Sequence, residues 1–362
     1  MKKSILFLAA VAMTAGMQAR VAYLVPGQTT GKSEIPVQYK TTTFEHDAYD
    51  WFNTNYVLTG KGDFISFANI PADNKTYKAI WIYIDRELNN FAVENSGNFT
   101  EAKFDELFNS DIVNALSAYV KAGGNLFLCK QAVHVAHRIG RFGGVLNFDY
   151  KPSYNCGGSS EAARTFVIKS LLGAGLPADQ QTDRSNHAVF AGLRTSDAYC
   201  YPLLTTEQGQ LSTDNNIEVV DYLIPNPDNA NEWLKAYGND NKALIDGWET
   251  YWNARALATY GHIDDYCLVM AMELLPTDTY KGTVLTMGPA SYQWGDNSGD
   301  GRYNVELLTD NALKYLDKTE EGPATAVENV GQATTCTKFV KDGRLVIRHG
   351  NRYFDAMGNT IK

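Results

Sequence analysis

Uninterrupted apolar runs alternate along the chain with segments of helical periodicity. Ala79–Ile84 reads AIWIYI and Leu126–Cys129 reads LFLC, without a polar break in either. An alternating strand buries one face only, so continuous apolar runs predict strands buried on both faces of a parallel sheet between helices. Further strands are predicted in RVAYLVPG, GDFISFANI, ARALATYGH, YCLVMAMELLP and GTVLTMGPASYQWG.

Helices are predicted between these strands. In NSDIVNALSAYVKAGG, apolar side chains recur every three or four residues at Ile112, Leu116 and Val120, and Gly123 and Gly124 form a stop signal. The same periodicity predicts helices in EHDAYDWFNTNYV, VHVAHR, EAARTFVIKSLLGAGL, NKALIDGWETYWN and NVELLTDNALKYL. Alternating strands and helices predict an α/β three-layer sandwich around a mainly parallel, flavodoxin-like sheet.

The N-terminal residues have the pattern of a secretory signal peptide. Lys2 and Lys3 precede the apolar run Ile5–Met13, and small residues follow up to Ala19. A membrane span needs about 20 apolar residues, more than this run or any later one provides. We therefore expect an exported protein without a transmembrane segment, located in the periplasm, at the cell surface or outside the cell.

The C-terminal residues predict a small β meander. Turn signals at Asp342–Gly343, Gly350–Asn351 and Gly358–Asn359 separate three or four short strands. This ending resembles the C-terminal sorting modules of exported Bacteroidota proteins, which implies recognition by export machinery; a hairpin packed on the main domain is the alternative. The expected organisation is a signal peptide (1–19), an α/β domain (20–317) with an insertion at about 205–255, a linker (318–335) and the meander tail (336–362).

Composition narrows the classes of function. The net charge of −9 makes nucleic acid a poor partner. Five scattered cysteines are too few for a disulfide scaffold, no Cys/His metal spacing occurs, and the odd count leaves a thiol unpaired within the chain. The aromatic content of 12% suits the recognition of carbohydrate rings as well as ordinary core packing.

The order of several motifs resembles class I glutamine amidotransferase-like domains. AYVKAGGNLFLCKQA has their helix, Gly-Gly pair and strand, and NHAVFAGL (186–193) is similar to the HP-x-x-x-G-L segment of non-amidotransferase relatives of the trehalose-utilisation type, with Ala188 in place of proline. KGTVLTMGPASYQWG and ELLTDNALKYL resemble their closing strand, loop and helix. YDWFNTNYV, GDFISFANI and AIWIYIDRE are similar to segments of an uncharacterised secreted Bacteroidota family associated with polysaccharide use. The resemblance covers most of residues 20–317 and implies an amidotransferase-like sheet with a sugar-related role.

Cys129 is the first candidate for chemistry. It ends a predicted strand and precedes a helix, whose N–H groups lower the pKa of a thiol, and the resemblance places a nucleophile there. His262 and Asp264 would supply a base and its orienting acid. A nucleophile corner needs small residues two positions to either side, however, and Phe127 and Gln131 are bulky. We predict that Cys129 marks the site without attacking a substrate.

Polar side chains after the predicted strands are expected to line a cleft, since open parallel sheets bind ligands at their carboxyl ends. Carboxylates and amides bind hydroxyl groups, and Trp294 is expected to reach over that edge as an aromatic platform for a sugar ring. The predicted ligand-binding residues are Asp85, Arg86, Lys130, Gln131, His187, Tyr292 and Trp294. A local ion pair between Asp85 and Arg86 is the alternative for those two.

Two metal-binding patterns are incomplete. His134 and His137 lie three apart on a helix, without a third ligand nearby in the sequence. Asp296, Ser298 and Asp300 match the first half of a calcium loop, but the twelfth position lacks the expected glutamate. We expect no cofactor, with calcium as the alternative.

Three functions follow from these patterns. The favoured one is an exported protein that binds a glycan or glycan-derived ligand in the strand-end cleft, without amidotransferase activity. The second is a sugar-processing hydrolase or isomerase that uses Asp85, His187, His262 or Asp264 as acid–base groups in the same cleft. The third is a surface scaffold that contacts a partner protein through the aromatic insertion.

Overall fold

The chain divides into two compact units, Met1–Thr319 and Glu320–Lys362. A computed structural model provides the structure. The residues that it describes are 20–36, 44–86, 101–141, 166–169, 182–195, 217–218, 241–259, 268–289, 291–292, 294, 299–317, 337–341, 344–349, 352–354 and 360–361.

Within the described residues, the larger unit contains an eight-stranded sheet and the helices that cover it. Its strands are β1 (Arg20–Val25), β2 (Gly62–Ser66), β3 (Tyr77–Ile84), β4 (Asn125–Lys130), β5 (Ile217–Glu218), β6 (Ala254–Thr259), β7 (Leu268–Leu274) and β8 (Val284–Met287). Its helices are α1 (Phe44–Phe52), α2 (Glu101–Leu107), α3 (Ser110–Lys121), α4 (His134–Arg138), α5 (Asn241–Trp252) and α6 (Gly299–Asp317).

Most of the sheet is parallel. The strand order is β2-β1-β3-β4-β8-β7, and the first five of these strands run in one direction. β7 runs antiparallel to β8, and both β5 and β6 pair antiparallel with β7. The carboxyl ends of β3, β4 and β8 are therefore at the same edge of the sheet.

Alternate residues of the central strands point into two separate apolar cores. Ile80, Ile82 and Ile84 of β3 pack with α2, α3 and α4, whereas Trp81 and Tyr83 pack with α1 and α6. Both faces of β3 are thus covered by helices, which is the reason that its sequence is continuously apolar. The predicted three-layer α/β sandwich with a mainly parallel sheet is confirmed.

Helix α3 shows how local signals fix the elements. The side chain of Asn109 caps its beginning by accepting hydrogen bonds from the N–H groups of Asp111 and Ile112, at 3.1 and 3.3 Å. Gly123 follows its end with a φ of 98°, a conformation that glycine adopts readily. The chain then turns directly into β4, as the Gly-Gly signal predicted.

One predicted helix is wrong where it can be compared. The described part of EAARTFVIKSLLGAGL is extended: Val167 forms a β-bridge with Thr259 at the end of β6, and Lys169 forms one with Asp183. The N–H of Val167 donates to the carbonyl of Thr259 at 3.0 Å. Pairing with the sheet outweighs helical periodicity here, and the β-branched pair Val167–Ile168 favours that outcome.

The smaller unit is an antiparallel four-stranded sheet. Its strands are β9 (Thr337–Lys341), β10 (Arg344–His349), β11 (Arg352–Phe354) and β12 (Thr360–Ile361), paired in chain order. They lie in the segment where three or four strands were predicted. Among the helices that the structure describes in either unit, none combines the length and apolar character that a bilayer crossing requires.

Candidate functional site

Three neighbouring strands end at one level. Ile84 of β3 pairs with Lys130 of β4, and Cys129 pairs with Met287 of β8. Asp85 and Gln131 follow these strands directly, so they emerge at the same edge, as parallel pairing predicts. We call this edge the carboxyl edge. His262 and Asp264, which were expected in this cleft, lie outside the described residues.

Glu45 of α1 joins the residues that follow β3. Its side chain is 3% exposed. One carboxylate oxygen accepts the backbone N–H of Asp85 and the Nε of Arg86, both at 3.1 Å, and the other accepts a terminal Arg86 nitrogen at 3.3 Å. Arg86 therefore forms a two-point ion pair with Glu45.

Sequence reasoning missed Glu45, although the chain carries a signal for it. Glu45, Ala48 and Phe52 recur at helical spacing, and all three are buried on the face of α1 that packs on the sheet. A carboxylate on the apolar face of an amphipathic helix needs a charged partner, because a buried lone charge is very costly. The position of Glu45 within the apolar stripe of α1 is thus the sequence signal that predicts a buried ion pair.

Asp85 and Gln131 are both held by hydrogen bonds to residues of β3 or of the segment that follows it. The hydroxyl of Tyr83 donates to a carboxylate oxygen of Asp85 at 2.9 Å. The side-chain carbonyl of Gln131 accepts the backbone N–H of Arg86 at 3.2 Å. Burial, and then the charge of Asp85, raise the pKa of Tyr83 well above its ordinary value, so this phenol remains a donor at physiological pH.

Lys130 is the corner residue between β4 and the turn that follows. Its backbone has a φ of 58° and a ψ of −131°, a conformation rare in residues other than glycine. Its side chain is fully buried, and Nζ donates to the carbonyl of Pro289, after β8, at 3.1 Å. The corner predicted at Cys129 therefore lies one residue later.

Cys129 has the environment of a core residue. It lies within β4 with its side chain completely buried, and its sulfur accepts a hydrogen bond from the indole N–H of Trp81 at 3.3 Å. Burial raises the pKa of the Cys129 thiol, which disfavours the thiolate that a nucleophile needs. Its catalytic role was a secondary candidate, and neither the position nor the pKa supports it.

The predicted aromatic platform is wrong, because the Trp294 indole is buried. Trp294 packs against Trp51 and Trp81, with ring centroids 5.1 and 5.6 Å apart, and the guanidinium of Arg302 covers it at 4.9 Å. Tyr292 is also buried, with its hydroxyl 2.5 Å from that of Thr309. The loop after β8 folds onto the sheet because this removes the apolar area of its rings from water, which is favourable.

The buried donors that have no hydrogen-bond partner among the residues that the structure describes include the Tyr23 hydroxyl, the Gln131 side-chain amide nitrogen and the Ser291 hydroxyl. They come from β1, from the turn after β4 and from the loop after β8. Burial, and then the charge of Glu45, raise the pKa of Tyr23 well above its ordinary value, so its proton is retained. Ser291 belongs to the loop after β8 that was expected at this edge, whereas Tyr23 was not expected from the sequence.

His187 lies away from the carboxyl edge, contrary to the prediction. Its Nε2 is 3.5 Å from Glu273 of β7, which pairs with Leu285 near the beginning of β8. Its ring also packs on Tyr315, near the end of α6, at 5.0 Å. The neighbouring carbonyl of Leu316 accepts from Asn125, the first residue of β4, so this region adjoins the amino ends of the strands.

Asparagines of α6 hold the segment that contains His187. Asn304 exchanges two hydrogen bonds with the backbone of Arg194, at 2.8 and 2.7 Å. Asn311 donates to the carbonyl of Ala191 at 2.8 Å. The segment 186–193 and the asparagine-rich helix, which were both noted in the sequence, are therefore in contact, and their contacts are structural.

Glu273 is expected to make the larger unit sensitive to acid. Burial raises the pKa of Glu273, but His187, Tyr315 and Arg255 lower it by more. The net result is a pKa below the ordinary value of 4.5. A carboxyl with a lowered folded-state pKa stabilises the fold above its unfolded-state pKa and loses that contribution as the pH falls through the folded-state pKa. The free energy of unfolding of the wild type, measured with urea, should therefore fall between about pH 5 and pH 3. In Glu273→Gln it should fall by less over the same range. Equal pH dependence in both proteins would contradict this role.

The metal-binding predictions receive no support from the described residues. Within them, no group of three or more His, Cys, Asp or Glu side chains is arranged to hold a metal ion. Asp300 pairs with Arg194 at the beginning of α6, and His134 packs edge-on against Phe104. Asp296 and Ser298 lie outside the described residues, so calcium at that loop stays a prediction.

The fold and the carboxyl edge define an α/β sandwich protein with a buried polar cluster at the strand ends. No protein-family model matches the chain, and no curated protein matches it either. Among solved structures, the chain is similar to the cytoplasmic protein STM3548 from Salmonella typhimurium, at 13% sequence identity and a TM-score of 0.32, over 82% of this chain and 98% of that one. A similarity at that level does not bear on function.

Proposed function

We propose that the protein binds a neutral, hydroxyl-rich ligand, a glycan or a fragment of one, at the carboxyl edge. The proposal is carried by the three buried donors, Tyr23, Gln131 and Ser291, that lack a partner within the described part of the chain. An unmade hydrogen bond of this kind costs about 1–3 kcal/mol, so each of these donors favours the binding of an acceptor. The oxygens of a sugar would accept all three.

The charges of the cluster favour a neutral ligand over an ion. Glu45 and Asp85 carry formal negative charges, and Arg86 and Lys130 carry positive ones, so the four cancel. An ionic ligand would add a buried charge without a counterpart, which is costly. Hydroxyl groups both donate and accept, and they suit a mixture of amide, phenol, hydroxyl and carboxylate groups.

The proposal includes export. Residues 1–19 have the pattern of a signal peptide, and the tail at 336–362 resembles sorting modules. A protein that meets glycans outside the cytoplasm would be consistent with both.

Calorimetric titration of the whole chain with a sugar panel tests the proposal. The panel pairs neutral mono- and oligosaccharides with the corresponding uronic acids and amino sugars, and neutral sugars are expected to bind best. If the sugar is recovered unchanged, the protein is a binding protein. If the sugar is converted, the carboxyl edge is the active site of a sugar-processing hydrolase or isomerase, the second function considered above. No binding across the panel would overturn the proposal and favour the scaffold.

Tyr23→Phe probes the donors at almost constant volume. It is expected to weaken sugar binding about tenfold, the effect of one hydrogen bond, while the Tm of the free protein stays the same or rises. Tyr119→Phe is the matched control: Tyr119 packs in the other core and its hydroxyl donates to the carbonyl of Tyr77 at 2.9 Å. The control should lower the Tm and leave binding unchanged. Similar effects from both changes would show that the Tyr23 hydroxyl has no role in binding.

A further inference from the structure

The backbone of Lys130 adopts a conformation that costs the fold stability. Its φ of 58° with a ψ of −131° is open to glycine and strained for other residues. Among the described residues, the other non-glycine residue with a positive φ is Asn253, at 47°. Asparagine tolerates that conformation, and Asn253 follows the end of α5, where such residues are common. Lysine has no comparable tolerance, so the surrounding structure imposes the conformation on it.

The side chain of Lys130 adds a second, independent cost. It is completely buried, and removal of an ammonium group from water is unfavourable even when the group is hydrogen-bonded. The carbonyl of Pro289 accepts from its Nζ and also from the backbone N–H of Tyr292, at 3.1 and 3.0 Å. A methionine would fill similar space without a charge, and a glycine would relieve the backbone.

We propose that Lys130 is a specificity-determining residue of the carboxyl edge, with its amine donating to an oxygen of the bound sugar. This inference rests on the proposed function. Strained backbone and buried charge coincide at one residue, and both are typical of positions that serve a ligand at the expense of stability. Gln131, the next residue, has a side-chain amide nitrogen without a partner in the described structure, so a donor lies beside Lys130 at the same corner.

Two substitutions separate the roles of charge and backbone. Lys130→Met removes the charge and keeps the strain, whereas Lys130→Gly removes both. With the neutral sugar that the wild type binds best, both variants are expected to bind at least about tenfold more weakly. The Tm of the free protein should be equal to or above that of the wild type in Lys130→Met, which fills similar space, whereas Lys130→Gly also leaves a cavity. Asn253→Gly is the matched control at the other positive φ, and it should leave binding unchanged.

The outcomes distinguish this inference from the proposed function. Wild-type binding that persists in Lys130→Met overturns the assignment of Lys130 alone. A large fall in Tm in both variants, with affinity reduced only because less protein is folded, shows that Lys130 is structural and also overturns it. No binding by the wild type to any sugar overturns the proposed function and this assignment together.

Discussion

Arg86→Met is expected to destabilise the larger unit by about 3–5 kcal/mol, the cost of leaving a buried charge without its partner. Glu45 is 3% exposed and accepts two hydrogen bonds from the Arg86 guanidinium. Methionine supplies neither the charge nor the donors, so the Glu45 carboxylate would have to remain buried alone or take up a proton. Urea unfolding at neutral pH measures the difference.

Two controls isolate the buried pair. In Glu45→Gln/Arg86→Met the lone charge is absent, and part of the lost stability should return. Lys32→Met breaks an exposed pair with Asp50, whose side chain is 59% exposed, and should change the stability by less than about 1 kcal/mol. A loss of that small size in Arg86→Met would contradict the importance of the pair.

Trp294→Ala is expected to reduce the free energy of unfolding by about 3–5 kcal/mol, as other large-to-small core substitutions do. The indole lies completely buried between Trp51 and Trp81, so its removal leaves a cavity between the sheet and the loop after β8. The Tm should fall by several degrees. This expectation replaces that of a folded variant with weaker ligand binding, which would follow from an exposed ring.

Trp252→Ala is the matched control for Trp294→Ala. Trp252 is partly exposed at the end of α5, so its loss should cost less stability. If Trp294→Ala has the same Tm as the wild type but loses sugar binding, the indole contacts the ligand. The buried arrangement of Trp294 would then not be the ligand-binding conformation.

Much of the fold could be predicted from apolar patterns. The uninterrupted run Ala79–Ile84 placed β3 in the interior of a parallel sheet, and the periodicity and stop signals of α3 gave both of its ends closely. These predictions succeed because burial on two faces, or along one helical stripe, leaves a direct pattern in the sequence. The prediction of a helix across Phe166–Lys169 was wrong. The backbone of Val167 forms its hydrogen bonds with Thr259 at the end of β6, a partner distant in sequence.

The candidate site was predicted less well than the fold. Asp85 and Gln131 were found because each follows a strand, and strand ends gather wherever strands run parallel. The corner was misplaced by one residue, since the apolar run ends at Cys129 while the strand continues to Lys130, a charged residue that no apolar pattern includes. Glu45 comes from α1 and meets these residues only in the folded chain.

The sequence by itself determined the layers, the sheet interior and the emergence of Asp85 and Gln131 at the carboxyl edge, because each depends on local periodicity and on the direction of parallel strands. Only the tertiary structure decided that Trp294 is buried rather than open, that Arg86 pairs with Glu45, and that His187 lies beside Glu273, away from the carboxyl edge. The physical reason is that burial and ion pairing depend on which surfaces meet. A tryptophan after a strand has the same sequence context whether its loop folds onto the sheet or extends from it, and the contacts with Trp51 and Trp81 favour the first.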